Sequence, residues 1–256
     1  MILQFGAGDV FAQAITNAFG EAVPLATPIR IAGLQEFSLD IQTELKEFHG
    51  QGRFAIATAQ GKSKVGGKMK GALINGLALN TIVFGTEYAT GTMKSVYADS
   101  TGQEIPTATA YTIKVTAPNS GTLTDDLGVI GADGLAYIKV ASAPKTGQYS
   151  VSGDTYTFAE ADKGKRVYIS YAYTYALDAA KRIDLTNLTM GNNATFKLLY
   201  LTNYNGKKTL IELESVTSGK LGLYGSKNDD FSIPEIDFSA STDAAGYKLG
   251  TLWVME

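Results

Sequence analysis

The chain has 256 residues, and its 22 Lys and Arg against 25 Asp and Glu give a formal net charge of -3. It contains no cysteine and a single histidine, His49, which excludes disulfides and cysteine-ligated metal centres and disfavours a histidine-based catalytic triad. The near balance of charge also argues against a broad basic surface for nucleic acid. We therefore expect no catalytic residues, no metal site and no cofactor.

The apolar segments are too short to cross a membrane. The longest, 72–84, is interrupted by Asn75, Gly76, Asn80 and Thr81, whereas a spanning helix needs about 20 apolar residues. Residues 1–10 lack the basic start and the apolar centre of a secretion signal. We expect no membrane association and synthesis in a cytoplasm-like compartment.

A strict alternation of residue types predicts a long strand over 36–46. Its odd positions are Phe37, Leu39, Ile41, Thr43 and Leu45, and its even positions are Glu36, Ser38, Asp40, Gln42, Glu44 and Lys46. A turn at 49–52 leads into a return strand over 53–70, whose even positions include Lys62, Lys64, Lys68 and Lys70. The pattern indicates a hairpin with one buried and one wet face, and with charge pairs between its acidic and basic strands.

The segment 72–83 is the one good helix candidate. Leu73 and Leu77, with their neighbours Ile74 and Ala78, form an i, i+4 apolar stripe, and Gly85 lies where a C-cap is expected. The polar segment 85–106 that follows predicts an extended loop with at most a short strand at 94–98.

Residues 107–174 form a block of four short strands rich in Tyr, Val, Ile and Thr. Turn signals separate these strands at 118–121, 132–134, 153–154 and 162–164. Short strands at this spacing predict a small antiparallel sandwich. Because the long-strand pattern resumes afterwards, we interpret the block as a domain inserted into a core formed by 1–106 and 175–256.

Further strands are predicted at 181–187, 195–202, 207–216, 219–224, 231–238 and 249–255. Asn205-Gly206 is a strong signal for a two-residue hairpin turn between the second and third of these. Pro234 lies inside 231–238, and we expect it at an edge or a bulge because it donates no ladder hydrogen bond.

Several motifs suggest chemistry but lack its full pattern. The segments 6–8 and 61–63 match only parts of a dinucleotide loop and of a phosphate-binding loop. Glu212 and Glu214 share a strand face, so a two-carboxylate glycosidase stays open as an alternative. Calcium binding at 125–126 or 229–230 and a pH-sensitive contact at His49 stay open as well, each without a supporting ligand pattern.

In its order of elements the chain resembles the major tail tube proteins of tailed bacteriophages. The resemblance is carried by 34–80 (LQEFSLDIQTELKEFHGQGRFAIATAQGKSKVGGKMKGALINGLALN), by 196–223 (FKLLYLTNYNGKKTLIELESVTSGKLGL) and by 230–246. The run ASAPKTGQYSVSGDTYTF, at 141–158, looks like the immunoglobulin-like domains that decorate phage structural proteins. The likeness is one of overall pattern over about two-thirds of the chain.

The resemblance implies a mainly β fold, a tail-tube-type β-sandwich or half-barrel with one packed α-helix and an inserted antiparallel β-domain. It further implies homohexameric rings that stack into a virion tail tube. Its partners would be copies of itself, the tape measure, terminator and distal tail proteins, and phage DNA that passes through the lumen without specific binding. Synthesis would take place in the host cytoplasm.

The same resemblance suggests roles for particular residues. Glu36, Asp40 and Glu44 would line the lumen, where acidic side chains let a polyanion pass. Charge pairing or ring contacts would fall to Lys62, Lys64, Lys68 and Lys70. An arm over 1–27, with Phe5, Val10, Phe11 and Phe19, and the loop 85–102 would bridge stacked rings and become ordered only on assembly. The alternative is a virion decoration or fibre-like binding module whose Tyr-rich insert contacts a host surface or glycan.

Overall fold

The structure, a computed structural model, describes residues 6, 8–73, 76–86, 88–223 and 231–255. These residues form a mainly β fold, which confirms the predicted class. The strands are β1 (Asp9–Thr16), β2 (Ile29–His49), β3 (Ala55–Leu73), β4 (Ala89–Tyr97), β5 (Gln103–Glu104), β6 (Thr112–Lys114), β7 (Thr122–Gly131), β8 (Ile138–Lys139), β9 (Gln148–Ser152), β10 (Thr155–Phe158), β11 (Arg166–Arg182), β12 (Thr195–Tyr204), β13 (Lys207–Gly222), β14 (Glu235–Ser241) and β15 (Gly250–Val254). Short 3-10 turns lie at Pro118–Ser120 and Glu160–Asp162.

The chain divides into two compact units. Unit 1 consists of Met1–Tyr88 and Ile183–Glu256, and unit 2 of Ala89–Arg182. Unit 2 is wider than the predicted insert 107–174 at both ends. The reason is the pairing of β4 with β11 over almost the whole length of β4, which draws the preceding segment into the inserted unit.

Unit 1 is built on a closed antiparallel sheet. Its strands pair in the cycle β1-β2-β3-β14-β13-β12 and back to β1, and β15 adds to β13 at one side. The interior is filled by Val10, Ala12, Ile29, Ile31, Met69, Phe196, Leu198, Tyr200, Leu213, Val216, Ile236 and Phe238, with Ala78 and Ile82 from the helix. Phe37 stacks on Tyr200 with ring centroids 3.9 Å apart.

The helix of unit 1 is shorter than its predicted range 72–83. It consists of α1 (Gly76–Leu79) followed by a single π-helical turn (Asn80–Phe84), because Leu73 still belongs to β3. Ile74, part of the predicted apolar stripe, lies outside the described residues. The expected C-cap is confirmed: Gly85 is left-handed at φ 59° and its N–H donates to the Asn80 carbonyl at 2.6 Å.

The segment expected to be a flexible N-terminal arm contains a strand of the closed sheet. β1 pairs with β12 on one side and β2 on the other, and Val10 is completely buried. The expectation that this residue becomes ordered only on assembly is therefore wrong, because its alternation places it in the core. Phe11 and Phe19 are partly exposed, and Phe5 lies outside the described residues.

Unit 2 is a sandwich of short strands. One sheet has the order β6-β10-β9-β8, and in the other β11 pairs with β4, β5 and β7. The segment 85–106 was expected to be a loop with at most a short strand at 94–98; the structure has a longer strand there, β4, which begins at Ala89 and ends at Tyr97. The strand β7 also escaped sequence analysis, because Asp125 and Asp126 interrupt its apolar alternation.

The hairpin predicted after the insert is confirmed. β12 and β13 are joined by Asn205 and Gly206, both with positive φ (50° and 80°), as a tight hairpin turn requires. Of the strand expected at 181–187, only residues 181–182 form regular structure, as the end of β11. Pro234 was expected at an edge or a bulge of the strand, but it lies immediately before β14, where its carbonyl accepts from the Gly71 N–H at 3.2 Å.

Candidate functional site

The hairpin of β2 and β3 extends well beyond the closed sheet. β1 pairs with β2 only at 29–31, and β14 pairs with β3 only at 65–70. From Gln42 to Lys64 the two strands pair only with each other among the described residues. Each strand of this ribbon therefore has one edge with unpaired backbone groups, the arrangement that favours pairing with another chain.

Large apolar side chains are exposed on the ribbon. Ile41 is 70% exposed, Leu45 63%, Phe48 66%, Phe54 87% and Ile56 70%. The face that was predicted to be buried is buried only at the base of the hairpin, where Phe37 and Leu39 pack against the core. Alternation assigned the face correctly but does not say what covers it, and no described residue covers the outer half.

The base of the hairpin carries a paired charge cluster. Lys70 contacts Glu36 at 2.5 Å, the cross-strand pair that the sequence predicted. Lys68 contacts Glu235 of β14 at 3.0 Å instead of a β2 carboxylate, because β14 flanks β3 at this level. The hydrogen bond from Lys68 holds the pKa of Glu235 below its usual range, so the pair is fully ionised at neutral pH.

The remaining predicted charges lie farther out along the ribbon. Asp40, Glu44, Lys62 and Lys64 are exposed, and none forms an ion pair with a described residue. Lys62 lies in a bulge opposite Glu44, where the register shifts between Thr43–Ser63 and Leu45–Gln60. It therefore has no directly opposed residue to pair with. The structure thus brings Glu36 and Lys70 together and leaves the outer acidic and basic residues available.

An open groove lies in unit 1 where β2 begins. It has a volume of about 890 Å³ and is lined by Ala14, Thr16, Asn17, Phe19, Glu21, Ala22, Val23, Pro24, Ala26, Thr27, Leu77, Asn80, Thr81, Gly85, Thr86, Tyr88, Asp184 and Thr186. The described lining contains two carboxylates, Glu21 and Asp184, and no Lys or Arg.

Local hydrogen bonds shape the walls of this groove. The Asn17 side-chain oxygen accepts from the backbone N–H of Phe19 at 2.9 Å and of Glu21 at 3.0 Å, which folds the chain after β1 into a tight turn. Across the groove, the Asn80 side-chain oxygen accepts from the Thr86 N–H at 3.0 Å. Sequence analysis missed the groove; its only local signal was the two asparagines, which commonly accept backbone hydrogen bonds in turns.

The carboxylates that suggested a glycosidase form ion pairs. Lys197 lies between Glu212 and Glu214, 3.1 Å from the latter, and Lys248 reaches Glu214 at 2.7 Å. These two lysines hold the pKa of Glu214 below its usual range, whereas a general acid needs a raised pKa. Within the described chain, no group of three or more potential ligands could hold a metal ion, and no described helix has the length and apolarity to span a membrane.

The tyrosines of unit 2 are mostly internal. Tyr149, Tyr156 and Tyr171 are almost fully buried. The hydroxyls of Tyr149 and Tyr156 donate to Asp126 at 2.7 and 3.1 Å, and Lys139 lies 3.0 Å from the same carboxylate. Tyrosine richness in the insert therefore reflects core packing around a buried charge more than a contact surface.

No model of a known protein family matches the chain, and a search of curated proteins gave no significant match.

Proposed function

We propose that this protein is a structural virion protein that self-assembles into hexameric rings, which stack as a bacteriophage tail tube and conduct the genome. The observation that carries the proposal is the ribbon of β2 and β3, with open strand edges and exposed apolar side chains from Ile41 to Ile56. In a monomer such a ribbon is an aggregation hazard. In a ring its edges pair with neighbours, and the same feature becomes the means of assembly.

The acidic residues of β2 fit a passive conduit. Asp40 and Glu44 are exposed and stand as candidate lumen residues together with Glu36, whose charge is partly balanced by Lys70. Because phosphate binding depends on lysine and arginine contacts, we expect the acidic residues of β2 to face the DNA and Lys62 and Lys64 to take part in contacts between copies. The tape measure, terminator and distal tail proteins are the partners that this role requires, and it requires no catalysis.

Electron microscopy of the purified protein tests the proposal directly. We expect rings and hollow tubes in negative stain, and a hexamer or larger species by size exclusion with light scattering. A species that stays monomeric or trimeric at high concentration would contradict the proposal. Filaments without a central channel would contradict the conduit role.

A second candidate function rests on unit 2. Leu127, Ile130, Leu135 and Ile138 are exposed, by 52%, 47%, 68% and 63%. Exposed apolar residues at this density favour an interaction surface, as expected of a decoration or fibre-like module. Trimers or monomers that bind bacterial cells or glycans would favour this role over the tube.

A further inference from the structure

The hairpin tip and the open groove lie at opposite ends of the same strand. β2 begins at Ile29, two residues after the groove-lining Thr27, and ends at His49 beside the tip. At about 3.3 Å per residue the two ends are separated by roughly 66 Å of strand. The two strands stay paired out to the tip and hold it away from the groove beside their own base, so a contact between the two would join different copies.

The tip and the groove are complementary in apolar character. The tip presents Phe48, Phe54 and Ile56, each at least 66% exposed. The groove offers apolar walls from Phe19, Val23 and Leu77, and its volume of about 890 Å³ falls in the range of sites that enclose a ligand with several rings. Burying the tip in it would remove the largest exposed side chains of the ribbon from water.

The two surfaces are also complementary in charge. Arg53 and Lys46 lie at the tip and outnumber its one carboxylate, Glu47, which lies 3.1 Å from His49. The groove carries the carboxylate of Glu21, with no basic residue among its described lining. Opposite charges at the rim of an apolar contact select the partner and its orientation.

We propose that the hairpin tip of one copy inserts into the groove of a second copy, so that copies join head to tail along the direction of β2. The inference rests on the proposed function in that it names the contact between successive layers of the assembly. Because the two patches differ and lie at opposite ends, the contact is heterologous and propagates instead of closing on a dimer. Growth in one dimension follows from that geometry.

Unique cysteines test the contact, since the chain has none of its own. A Phe54→Cys chain mixed with a mass-tagged Leu77→Cys chain is treated with a short bismaleimide. We expect a crosslinked heterodimer in high yield and little product from either variant alone. The matched control pairs Phe54→Cys with Met190→Cys, because Met190 is 99% exposed but lines neither surface.

A charge exchange gives an independent readout. Arg53→Glu and Glu21→Lys should each weaken polymerisation several-fold, and the double variant or an equal mixture of the two chains should restore it. Restoration by mixing requires that the two residues meet across copies. Equal polymerisation of both single variants and wild type would overturn the contact.

The outcomes separate this contact from the proposed tube. Tubes without a 54–77 crosslink overturn the contact and leave the tube intact. Crosslinked filaments that never form hollow tubes support the contact and overturn the tube. If neither tubes nor crosslinks form, both the contact and the proposed tube are overturned.

Discussion

At the residue scale, the most informative side chain of unit 2 is Asp126. Its side chain is only 4% exposed, yet it accepts hydrogen bonds from two tyrosine hydroxyls and from the Gly128 N–H. A bulge in β7 turns this carboxylate inward, since the register shifts between Gly128 and Asp126. One ionised group thus organises the packing of both sheets.

Asp126→Ala should destabilise unit 2 by about 3 kcal/mol, because it leaves the hydroxyls of Tyr149 and Tyr156 without their hydrogen-bond acceptor. Urea unfolding followed by near-ultraviolet dichroism of the tyrosines measures the change. Asp125→Ala is the control: its ion pair with Lys94 is half exposed, so its loss should cost less than about 1 kcal/mol. Equal effects of the two substitutions would refute an organising role for Asp126.

The stability of unit 2 should fall in acid because of the same carboxylate. Burial opposes ionisation of Asp126, but hydrogen bonds from Tyr149, Lys139 and Gly128 outweigh it and hold its pKa below the ordinary value. A depressed folded-state pKa adds stability above the unfolded value near 3.9, and this stability is lost as pH falls through the folded pKa. Asp126→Asn should therefore unfold with a flatter pH dependence below about pH 4 than wild type does.

A glycine at the end of the π-helical turn provides the third prediction at this scale. Gly85 is left-handed, and an added Cβ would lie 2.4 Å from the Ala194 Cβ and 2.8 Å from the Ala18 nitrogen. Gly85→Ala should cost more than about 2 kcal/mol, since backbone strain and overpacking add. Gly206 is also left-handed but has open space around it. Gly206→Ala therefore measures the backbone strain alone, which we expect to cost about 1 kcal/mol. Thermal unfolding of both variants gives the comparison.

At the element scale, the hairpin of β2 and β3 combines two roles. Its base closes the sheet through β1 and β14 and buries Phe37 and Leu39. No residue of its outer part, 42–64, belongs to the apolar core that the described residues of unit 1 form. Folding and assembly are thus separable along one pair of strands.

Shortening the hairpin should therefore abolish assembly without unfolding unit 1. Replacing 43–63 by Asn-Gly keeps the cross-strand pair Gln42–Lys64 next to a favoured two-residue turn. We expect a monomer by light scattering whose melting temperature stays within a few degrees of the full chain. The fluorescence of Trp253, in β15 of unit 1, reports retained folding. Tubes from the shortened chain would contradict the assembly role of the ribbon.

At the scale of the whole molecule, the two units have separate cores. No residue belongs to both apolar clusters, and the ends of unit 2 lie next to each other because Ala89 pairs with Arg182. This arrangement is typical of a domain inserted into a host without disturbing it.

Removing unit 2 should leave unit 1 folded and able to assemble. A short Gly-Ser linker in place of 89–182 spans the gap between adjacent strand ends. We expect tubes in negative stain and an unchanged Trp253 emission. Loss of tubes with a folded unit 1 would show that unit 2 takes part in assembly.

The local patterns of the sequence determined many of the strands of unit 1, though not β1. Alternation predicted both strands of the long hairpin, Asn205-Gly206 predicted the turn between β12 and β13, and Gly85 predicted the helix end. These features depend on residues close together in the chain, so they can be derived from spacing and residue type. The insert was also predicted, although its bounds were too narrow.

Only the tertiary structure decided which apolar faces are covered. The closure of the sheet depends on pairing between β1 and β12 and between β3 and β14, whose partners lie far apart in the sequence. That pairing buries Val10, which the sequence suggested was part of a mobile arm, and leaves Ile41 and Phe54 exposed. Periodicity determines the face on which a side chain lies, whereas the reach of the neighbouring strands determines whether that face meets protein or water.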